Sequence, residues 1–283
     1  MLTNNLMMLR RAAKEGFAIP AINTQGGNYD IIRACCLAAQ KLRSPIILAH
    51  YTATGSYSGH DWFVQVARWC AEQVDVPVSI HLDHGDSFET CMQMLRLGFT
   101  SLMIDGSALT IEENAAITTD VIHTARYFSV PVEAEVGELL RLDCAAPQQH
   151  KNLADPEAVR RFLSLCQPDS LAIGIGNAHG YYRGTPEIRL DILEEVRRFT
   201  DIPLVLHGCT GMKKEVVREA IRLGVAKINF GTEIRYKYIQ HYRAALDQLD
   251  HQGHSWKISQ YASDALTKDI EEIILLSGSS GTV

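Results

Sequence analysis

The chain alternates between short apolar runs and longer amphipathic stretches. Each apolar run ends in polar residues or glycine, as in FAIPAIN at 17–23 and VPVSIHLDHG at 76–85. Short runs that lack a polar face are typical of strands buried on both sides, as in parallel sheets. The stretches between them, such as DWFVQVARWCAEQV, have apolar residues at helical spacing. The pattern therefore predicts alternating strands and helices.

Strand and helix alternate eight times along most of the chain. The eight predicted strands are FAIPAIN, PIILAHY, VPVSIHLDHG, TSLMIDGS, VPVEAEVG, DSLAIGIGNAHG, IPLVLHGCTG and VAKINFGTE. Parallel strands need crossover helices, and eight of them can close into a barrel without an edge. We predict an α/β protein, a (β/α)8 TIM barrel forming a single domain over residues 1–283 with an extra C-terminal helix. The alternative is an open doubly wound sheet, but AINTQGGNYD lacks its G-x-G-x-x-G turn.

Polar side chains stand at the C-terminal ends of the predicted strands. They are Asn23, His50, Asp83 with His84, Asp105, Glu135, His179, His207 and Asn229. In a (β/α)8 barrel these strand ends share one face, where the active site lies. Taken alone, each side chain could be a helix cap or a satisfied hydrogen-bonding group. Their coincidence at one mouth favours a functional site.

Three of these histidines are each followed directly by glycine: His84, His179 and His207. Three neutral imidazoles with an open fourth position are a ligand set of catalytic zinc, and the glycines would let the backbone approach a ligand closely. Asp105 and Glu135 could be partners of these ligands or form an alternative metal position. We expect His81 to point into the barrel wall and to have a structural role.

Two turns late in the chain have the features of an anion site. HGCTGM and INFGTE each lead from a predicted strand into a predicted helix. Exposed backbone amides at the two helix N-termini, with the hydroxyls of Thr210 and Thr232, could therefore hold a phosphate. The two threonines could equally be helix caps, which does not exclude phosphate binding.

The charge of the chain indicates which partners to expect, and its cysteines indicate the compartment. The formal net charge is -6 and the basic residues are scattered, so we expect neither a nucleic acid nor an anionic membrane surface as partner. The apolar residues at the N-terminus are interrupted by Arg10, Arg11 and Lys14, unlike those of a secretory signal or a membrane span. The seven cysteines show no C-x-x-C spacing, which indicates reduced thiols. We expect a cytoplasmic protein.

The sequence resembles the class II, zinc-dependent ketose-bisphosphate aldolases, especially the branch of tagatose-1,6-bisphosphate aldolase and related fructose-bisphosphate aldolases. The resemblance covers most of the chain, from FAIPAIN to KINFGTE. It rests on HLDHG, SLMIDGSALTIEEN, PVEAEVG, DSLAIGIGNAHG, LVLHGCTG and KINFGTE. It implies reversible cleavage of a ketose 1-phosphate or 1,6-bisphosphate to dihydroxyacetone phosphate and an aldehyde, as in glycolysis. It also implies a homodimer or homotetramer.

The resemblance further implies a role for individual residues. Asp83 would be the catalytic acid and base, and the zinc ligands would be His84, His179 and His207. The positions implied to hold the dihydroxyacetone phosphate portion are Asn23, Gly180, Gly208, Cys209, Thr210, Asn229, Phe230, Gly231 and Thr232. A monovalent cation, Na+ or K+, is implied beside the phosphate.

The sequence departs from the family in three places. After the second strand, Tyr51 replaces a small hydroxyl residue near a phosphate, and Thr52 and Thr54 could substitute for it. After the fifth strand, the family pattern GxLGGxED is replaced by GELLRLDC, with Leu140 and Arg141 in place of the glycines. Asp143 stands where the family has the glutamate thought to move a proton at the enediolate, so we predict it as a second acid. Family members that bind a second phosphate usually have an arginine in the C-terminal region, but none follows Arg243 here. Lys257 could replace it without the guanidinium geometry.

Three other functions are compatible with parts of the pattern. A zinc hydrolase could use the same three histidines to activate water. A Schiff-base aldolase would need a lysine in the barrel mouth, and Lys227 in VAKINF is the one candidate on a strand. A non-catalytic aldolase-like subunit or sugar-phosphate sensor would bind zinc and ligand without turnover.

Overall fold

The computed structural model of the protein describes residues 1–138, 140–141, 153–182, 186–249 and 254–283, with only the backbone at 140–141. The strands in these ranges are β1 (Ile19–Asn23), β2 (Ile46–Tyr51), β3 (Val78–Asp83), β4 (Leu102–Met103), β5 (Val132–Val136), β6 (Leu140–Arg141), β7 (Ser170–Ile173), β8 (Ala178–His179), β9 (Leu204–Leu206) and β10 (Val225–Phe230).

The helices surround these strands. They are α1 (Leu6–Glu15), α2 (Tyr29–Leu42), α3 (Gly55–Ser58), α4 (His60–Glu72), α5 (Phe88–Leu97), α6 (Ile111–Arg126), α7 (Pro156–Leu165), α8 (Leu190–Arg197), α9 (Lys214–Arg222), α10 (Thr232–Gln248) and α11 (Ser255–Ser277). Several begin at side-chain caps, as α6 does at the capping box of Thr110 and Glu113. None of the helices in the described ranges is long and apolar enough to cross a membrane.

Eight of the strands form one parallel sheet that closes on itself. Their order is β3-β2-β1-β10-β9-β7-β5-β4, and every strand pair within the sheet is parallel. Backbone hydrogen bonds then join β3 to β4: Leu82 N–H donates to Ser101 O at 3.0 Å, and Gly85 N–H donates to Met103 O at 3.0 Å. The predicted (β/α)8 barrel is therefore confirmed.

The sixth predicted strand differs from the expectation. DSLAIGIGNAHG gives only β7 to the barrel, while β8 pairs in parallel with β6 in a separate two-stranded sheet. The break lies at Gly174 and Gly176; Gly176 has a φ of +89°, and a Cβ on Gly174 would lie 2.7 Å from the Gly137 carbonyl oxygen. His179 thus stands in β8, six residues after the end of β7, and not at a barrel strand end.

Two helices lie outside the eightfold repeat. The predicted extra C-terminal helix is α11, which packs against α2 and α10. At the opposite end of the sequence, α1 was not predicted. Its Leu9 and Ala12 are buried against Ile19 and Ala226, so α1 covers one end of the barrel interior with apolar side chains.

The barrel interior is apolar near α1 and polar toward the opposite end. Successive residues of a strand face opposite sides, and this places His81 and Asp83 together on the inner face of β3. His81 is fully buried and its ring nitrogen lies 3.2 Å from Lys227 Nζ on β10. The expectation that His81 points into the wall was wrong, because residues two apart on a strand share a face.

Candidate active site

A cavity of about 240 Å³ opens at the C-terminal ends of the barrel strands. Most of the residues predicted for the site line it: Asn23, Asp83, His84, His179, Gly180, Gly208, Thr210, Asn229, Phe230, Gly231 and Thr232. The remaining lining residues are Ala21, Gln25, Ala49, Tyr51, Thr54 and Arg235. Barrel closure therefore brings together side chains that lie more than 200 positions apart in the sequence.

The three histidines converge beside this cavity: His84 and His179 line it, whereas His207 is buried and does not. Each of His84, His179 and His207 offers a ring nitrogen, and the three nitrogens lie within 4.8 Å of one another. His84 Nε2 and His179 Nε2 are 3.1 Å apart. Three imidazole nitrogens at this spacing match the ligand set of zinc, whose bonds to histidine are about 2.0–2.1 Å long.

The ligand orientation of His84 is fixed by its neighbours. Its backbone has a φ of +53°, which is uncommon for a residue with a side chain. Its Nδ1–H donates to Asp105 Oδ2 at 2.7 Å, and Glu135 Oε2 lies 3.8 Å from the same nitrogen. Because Nδ1 is engaged, Nε2 is the nitrogen left for a ligand. His84, Asp105 and Glu135 also form a second group with the spacing of a metal site.

Hydrogen bonds connect the turns that carry His179 and His207. The Tyr182 hydroxyl accepts from Ala178 N–H at 2.9 Å and donates to Gly208 O at 3.0 Å. Asn177 Nδ2 donates to the His207 carbonyl at 3.0 Å. Since His179 is not on a barrel strand, these bonds hold its turn against the end of β9.

Asp83 lies between the histidines and the other end of the cavity. Its carboxylate Oδ1 accepts from Asn229 Nδ2 at 3.3 Å and lies 3.9 Å from His207 Nδ1. Burial alone would raise the pKa of Asp83, but the nearby His84, His207 and Lys227 outweigh it and lower the pKa. Asp83 is therefore a carboxylate at neutral pH and can accept a proton from a bound hydroxyl group.

The same environment shifts the histidines in opposite directions. Burial would lower the pKa of His84, yet the hydrogen bond to Asp105 and the charges of Asp83 and Glu135 raise it to about 9. Burial, with the positive charge of Lys227, holds the pKa of His207 well below its ordinary value. The perturbed groups cluster in one cleft, as is typical of functional sites.

Backbone amides and hydroxyls form the opposite end of the cavity. Gly231 and Thr232 stand at the N-terminus of α10, and Thr210 follows the turn after β9. Thr210 Oγ1 accepts from the Glu233 amide at 3.2 Å, so this threonine does act as a cap, although on α10 and not on the helix that follows it. A helix N-terminus with free amides is suited to an anion.

Several candidates lie away from the cavity. The Cys209 thiol is buried and donates to Leu206 O at 3.4 Å. His50 is buried, stacks on Phe63 with ring centroids 4.4 Å apart, and bonds His60 Nδ1 at 2.9 Å. Lys257 Nζ lies 5.6 Å from the Trp256 ring and does not line the cavity. The candidate that falls outside the described residues is Asp143.

Sequence reasoning missed two polar residues of the cavity lining, Gln25 and Arg235, and also Tyr182, which bridges two turns. Arg235 is exposed and lines the cavity one helical turn after Thr232, in the segment FGTEIR; its spacing from the helix start could have indicated it. Gln25 lines the cavity and donates to Asn23 Oδ1 at 2.9 Å. Tyr182 had no signal, because its role depends on two turns that only the fold brings together.

Solved structures of similar fold include aldolases. The YdjI aldolase from Escherichia coli K12 is 28% identical with a TM-score of 0.88, and the match covers 100% of this chain and 99% of that one. A putative fructose-1,6-biphosphate aldolase from Coccidioides immitis is 26% identical with a TM-score of 0.87, covering 99% and 98%. Fructose-bisphosphate aldolase from Campylobacter jejuni, 22% identical with a TM-score of 0.81 over 100% and 97%, is similar in fold.

The fold and the cavity together define a class, the barrel enzymes that carry their chemistry at the C-terminal strand ends. The family model for class-II fructose-bisphosphate aldolase matches residues 3–282. The chain belongs to that family, and the protein is an aldolase, that is, a lyase. The predicted family is confirmed, and membership implies a phosphorylated sugar as substrate.

Proposed function

We propose that the protein is a zinc-dependent aldolase that reversibly cleaves a ketose 1-phosphate or 1,6-bisphosphate to dihydroxyacetone phosphate and an aldehyde. One observation carries this proposal: the Asp83 carboxylate shares a single cavity with His84, His179 and the N-terminus of α10, and a nitrogen of the buried His207 lies within 4.8 Å of nitrogens of the other two histidines. An aldol cleavage needs these three parts side by side, because the phosphate, the carbonyl and the departing hydroxyl belong to one small molecule.

The donor set fits zinc. His84, His179 and His207 would hold the ion, since their nitrogens lie within 4.8 Å of one another and His84 has its other nitrogen bonded to Asp105. When bound, zinc would supply a Lewis acid that draws charge from the carbonyl and hydroxyl oxygens and so stabilises the enediolate left by cleavage. We assign Asp105 and Glu135 to orienting His84 or to an alternative metal position.

The phosphate would bind at the start of α10. The backbone amides of Gly231 and Thr232 stand at a helix N-terminus, where anions are favoured. We assign the same group, in part through backbone atoms, to Asn23, Gly180, Gly208, Cys209, Thr210, Asn229 and Phe230. A Na+ or K+ ion beside the phosphate belongs to the proposal.

Asp83 would be the catalytic acid and base. In cleavage it takes the proton of the fourth-carbon hydroxyl as the aldehyde departs, and in condensation it returns that proton. Its lowered pKa keeps it ready as a base. Asn229 Nδ2, which bonds both Asp83 Oδ1 and His207 Nδ1, holds the carboxylate beside the metal ligands. Asp143 remains the proposed second acid.

The proposal leaves both a ketose 1-phosphate and a 1,6-bisphosphate as substrate, which differ in the phosphate at the sixth carbon. Lys257 does not line the cavity, so it gives no support to a second phosphate there. Arg235 does line it, and its guanidinium carbon lies 5.4 Å from the centre of the Tyr236 ring. We propose Arg235 as the cation that contacts an anionic group of the substrate.

The alternatives explain less of the site. A zinc hydrolase of an uncharged substrate has no use for an anion-binding helix start in the same cavity as Asp83, and a hydrolase of phosphate esters is distinguished by the products it forms. A Schiff-base mechanism would need an uncharged Lys227, but this side chain is fully buried and its three donors all face acceptors: two oxygens of Glu133 and one nitrogen of His81. A sugar-phosphate sensor would leave the buried Asp83 unexplained.

The remaining expectations stay part of the proposal. The six cysteines within the described residues are free thiols and buried, which supports the reducing environment of the cytoplasm. A homodimer or homotetramer and a single domain over the whole chain are proposed from the resemblance.

A condensation screen tests the proposed function. Zinc-loaded protein is incubated with dihydroxyacetone phosphate and a panel of aldehydes, phosphorylated and unphosphorylated, and ketose products are measured. We expect at least one ketose 1-phosphate to form and to disappear after chelation. Formation of product only from phosphorylated aldehydes would assign the bisphosphate; hydrolysis of the phosphate ester without any ketose would overturn the aldolase assignment in favour of a hydrolase.

A further inference from the structure

Beneath the floor of the cavity lies a fully buried ion pair. Lys227 Nζ on β10 is 3.0 Å and 2.9 Å from the two carboxylate oxygens of Glu133 on β5. Both side chains are fully buried. Removing two charges from water is unfavourable, and apolar replacements of such pairs are often neutral or stabilising. Stability alone is therefore a poor explanation for charges at this place.

The lysine is held from three directions. An ammonium group has three donors, and the third faces His81 Nε2 at 3.2 Å. With Nε2 accepting, the proton of the neutral His81 ring lies on Nδ1, which donates to Ser101 Oγ at 2.8 Å. A chain of hydrogen bonds thus fixes the ammonium, and the ammonium fixes the Glu133 carboxylate.

The carboxylate then acts on a proposed metal ligand. Glu133 Oε1 lies 2.9 Å from His207 Nε2. An ionised carboxylate can only accept, so the proton of His207 must lie on Nε2 and the lone pair on Nδ1. The Nδ1 atom faces the cavity side of the ring, 3.1 Å from Asn229 Nδ2 and 3.9 Å from Asp83 Oδ1.

We propose that Glu133 and Lys227 are positioning residues that lock His207 in the tautomer whose lone pair is on Nδ1, the nitrogen that would bind a metal in place of its contact with Asn229 Nδ2. The Nε2–H of His207 donates to the Glu133 carboxylate. The ring can therefore neither flip nor change tautomer without breaking a charge-assisted hydrogen bond. This inference rests on the proposed function in one respect, that His207 is a metal ligand. It explains the orientation of His207 by two buried residues on other strands, Glu133 on β5 and Lys227 on β10.

Two charge-neutral double variants test the inference. Both replace the lysine by methionine, so that no unpaired charge is buried: Glu133→Gln with Lys227→Met keeps an acceptor for His207, and Glu133→Leu with Lys227→Met removes it. Zinc affinity is measured by competition with a chelator, and the visible absorption spectrum of the Co2+-loaded protein reports ligand geometry. Melting of the metal-free forms compares their folding.

We expect the leucine variant to lose about 10- to 100-fold in zinc affinity and to have an altered Co2+ spectrum, the range found for lost partners of metal ligands. The glutamine variant should stay within about threefold of the wild type. Equal affinities in the two variants, at similar melting temperatures, would overturn the inference and leave the proposed function intact.

A second measurement avoids the mutations. In the metal-free wild type, the 15N signals of the His207 ring report which nitrogen carries the proton. We expect it on Nε2, and a proton on Nδ1 would overturn the inference even if the leucine variant fails to fold. Wild-type protein that binds neither Zn2+ nor Co2+ would instead refute the proposed function, and this inference with it.

Discussion

The glycine after His207 gives a sharp test of how the histidine turns are held. Gly208 has a φ of +64°, a conformation that costs a residue with a side chain about 1–2 kcal/mol. A Cβ at this position would also lie 2.4 Å from the Ala178 carbonyl oxygen and 2.8 Å from its carbonyl carbon. An ordinary contact begins at 3.4 Å, so Gly208→Ala would force the two turns apart by about 1 Å.

This displacement acts directly on the proposed metal site. Gly208 follows one histidine and Ala178 precedes another, and Tyr182 bridges the two turns. Because a misplacement of about 1 Å can cost about 100-fold in rate, we expect Gly208→Ala to lose at least that much in kcat/KM and about tenfold or more in zinc affinity. The assays are dihydroxyacetone phosphate release and chelator competition.

Gly16 provides the matched control. It follows α1, has a φ of +77° and would have no atom within 4 Å of an added Cβ. Gly16→Ala therefore carries a similar backbone cost without the steric conflict, and we expect a loss of about 1 kcal/mol in the free energy of unfolding with unchanged zinc affinity. If Gly208→Ala binds zinc and turns over within threefold of the Gly16→Ala protein, the close approach of the two turns has no role in the site.

Three further predictions follow from single side chains. Asp83→Asn should lower kcat at least about 100-fold because the proton acceptor is lost, while zinc content stays unchanged; near wild-type turnover would contradict the role. Arg235→Met should raise KM for the phosphorylated substrate about tenfold with little change in kcat, and Arg243→Met, exposed on the same helix, should change neither. Burial, and then the nearby His60, lowers the pKa of His50 from 6.5 to about 4. Between these two pH values the unfolded chain therefore binds a proton at His50 that the folded chain does not bind. The free energy of unfolding should fall between pH 6.5 and 4, by at most about 3 kcal/mol from this residue. Urea titrations should give a smaller pH slope for His50→Leu, and an identical slope would refute the assignment.

The barrel could be predicted from the sequence because its signal is local. Each buried strand is an apolar run, and each following helix has its own period, so the eightfold alternation is visible without contacts. The break in the sixth strand could not be predicted from hydrophobicity, because LAIGIG at 171–176 contains no polar side chain at which the strand would be expected to end. It depends on the close approach of Gly174 to the backbone of Gly137.

The site could be predicted in composition but only partly in geometry. Strand ends indicated Asp83, His84 and His207, because a barrel brings these ends to one face. Period two should also have placed His81 inside the barrel, since it shares a face with Asp83. The bond of Glu133 to His207 spans 74 positions, and nothing in the sequence around either residue predicts it.

The proposed function requires that the residues of the cavity, with zinc bound, allow a carbon-bound hydrogen of dihydroxyacetone phosphate to be removed as a proton. Exchange of the carbon-bound hydrogen of dihydroxyacetone phosphate with D2O, followed by proton NMR, measures this step without knowledge of the aldehyde. Zinc-loaded protein should catalyse the exchange, lose it after chelation and regain it when zinc is restored. Asp83→Asn should keep the exchange, because Asp83 acts on the fourth-carbon hydroxyl. Absence of exchange in the zinc-loaded protein, or exchange that chelation leaves unchanged, would contradict a zinc-dependent aldolase mechanism.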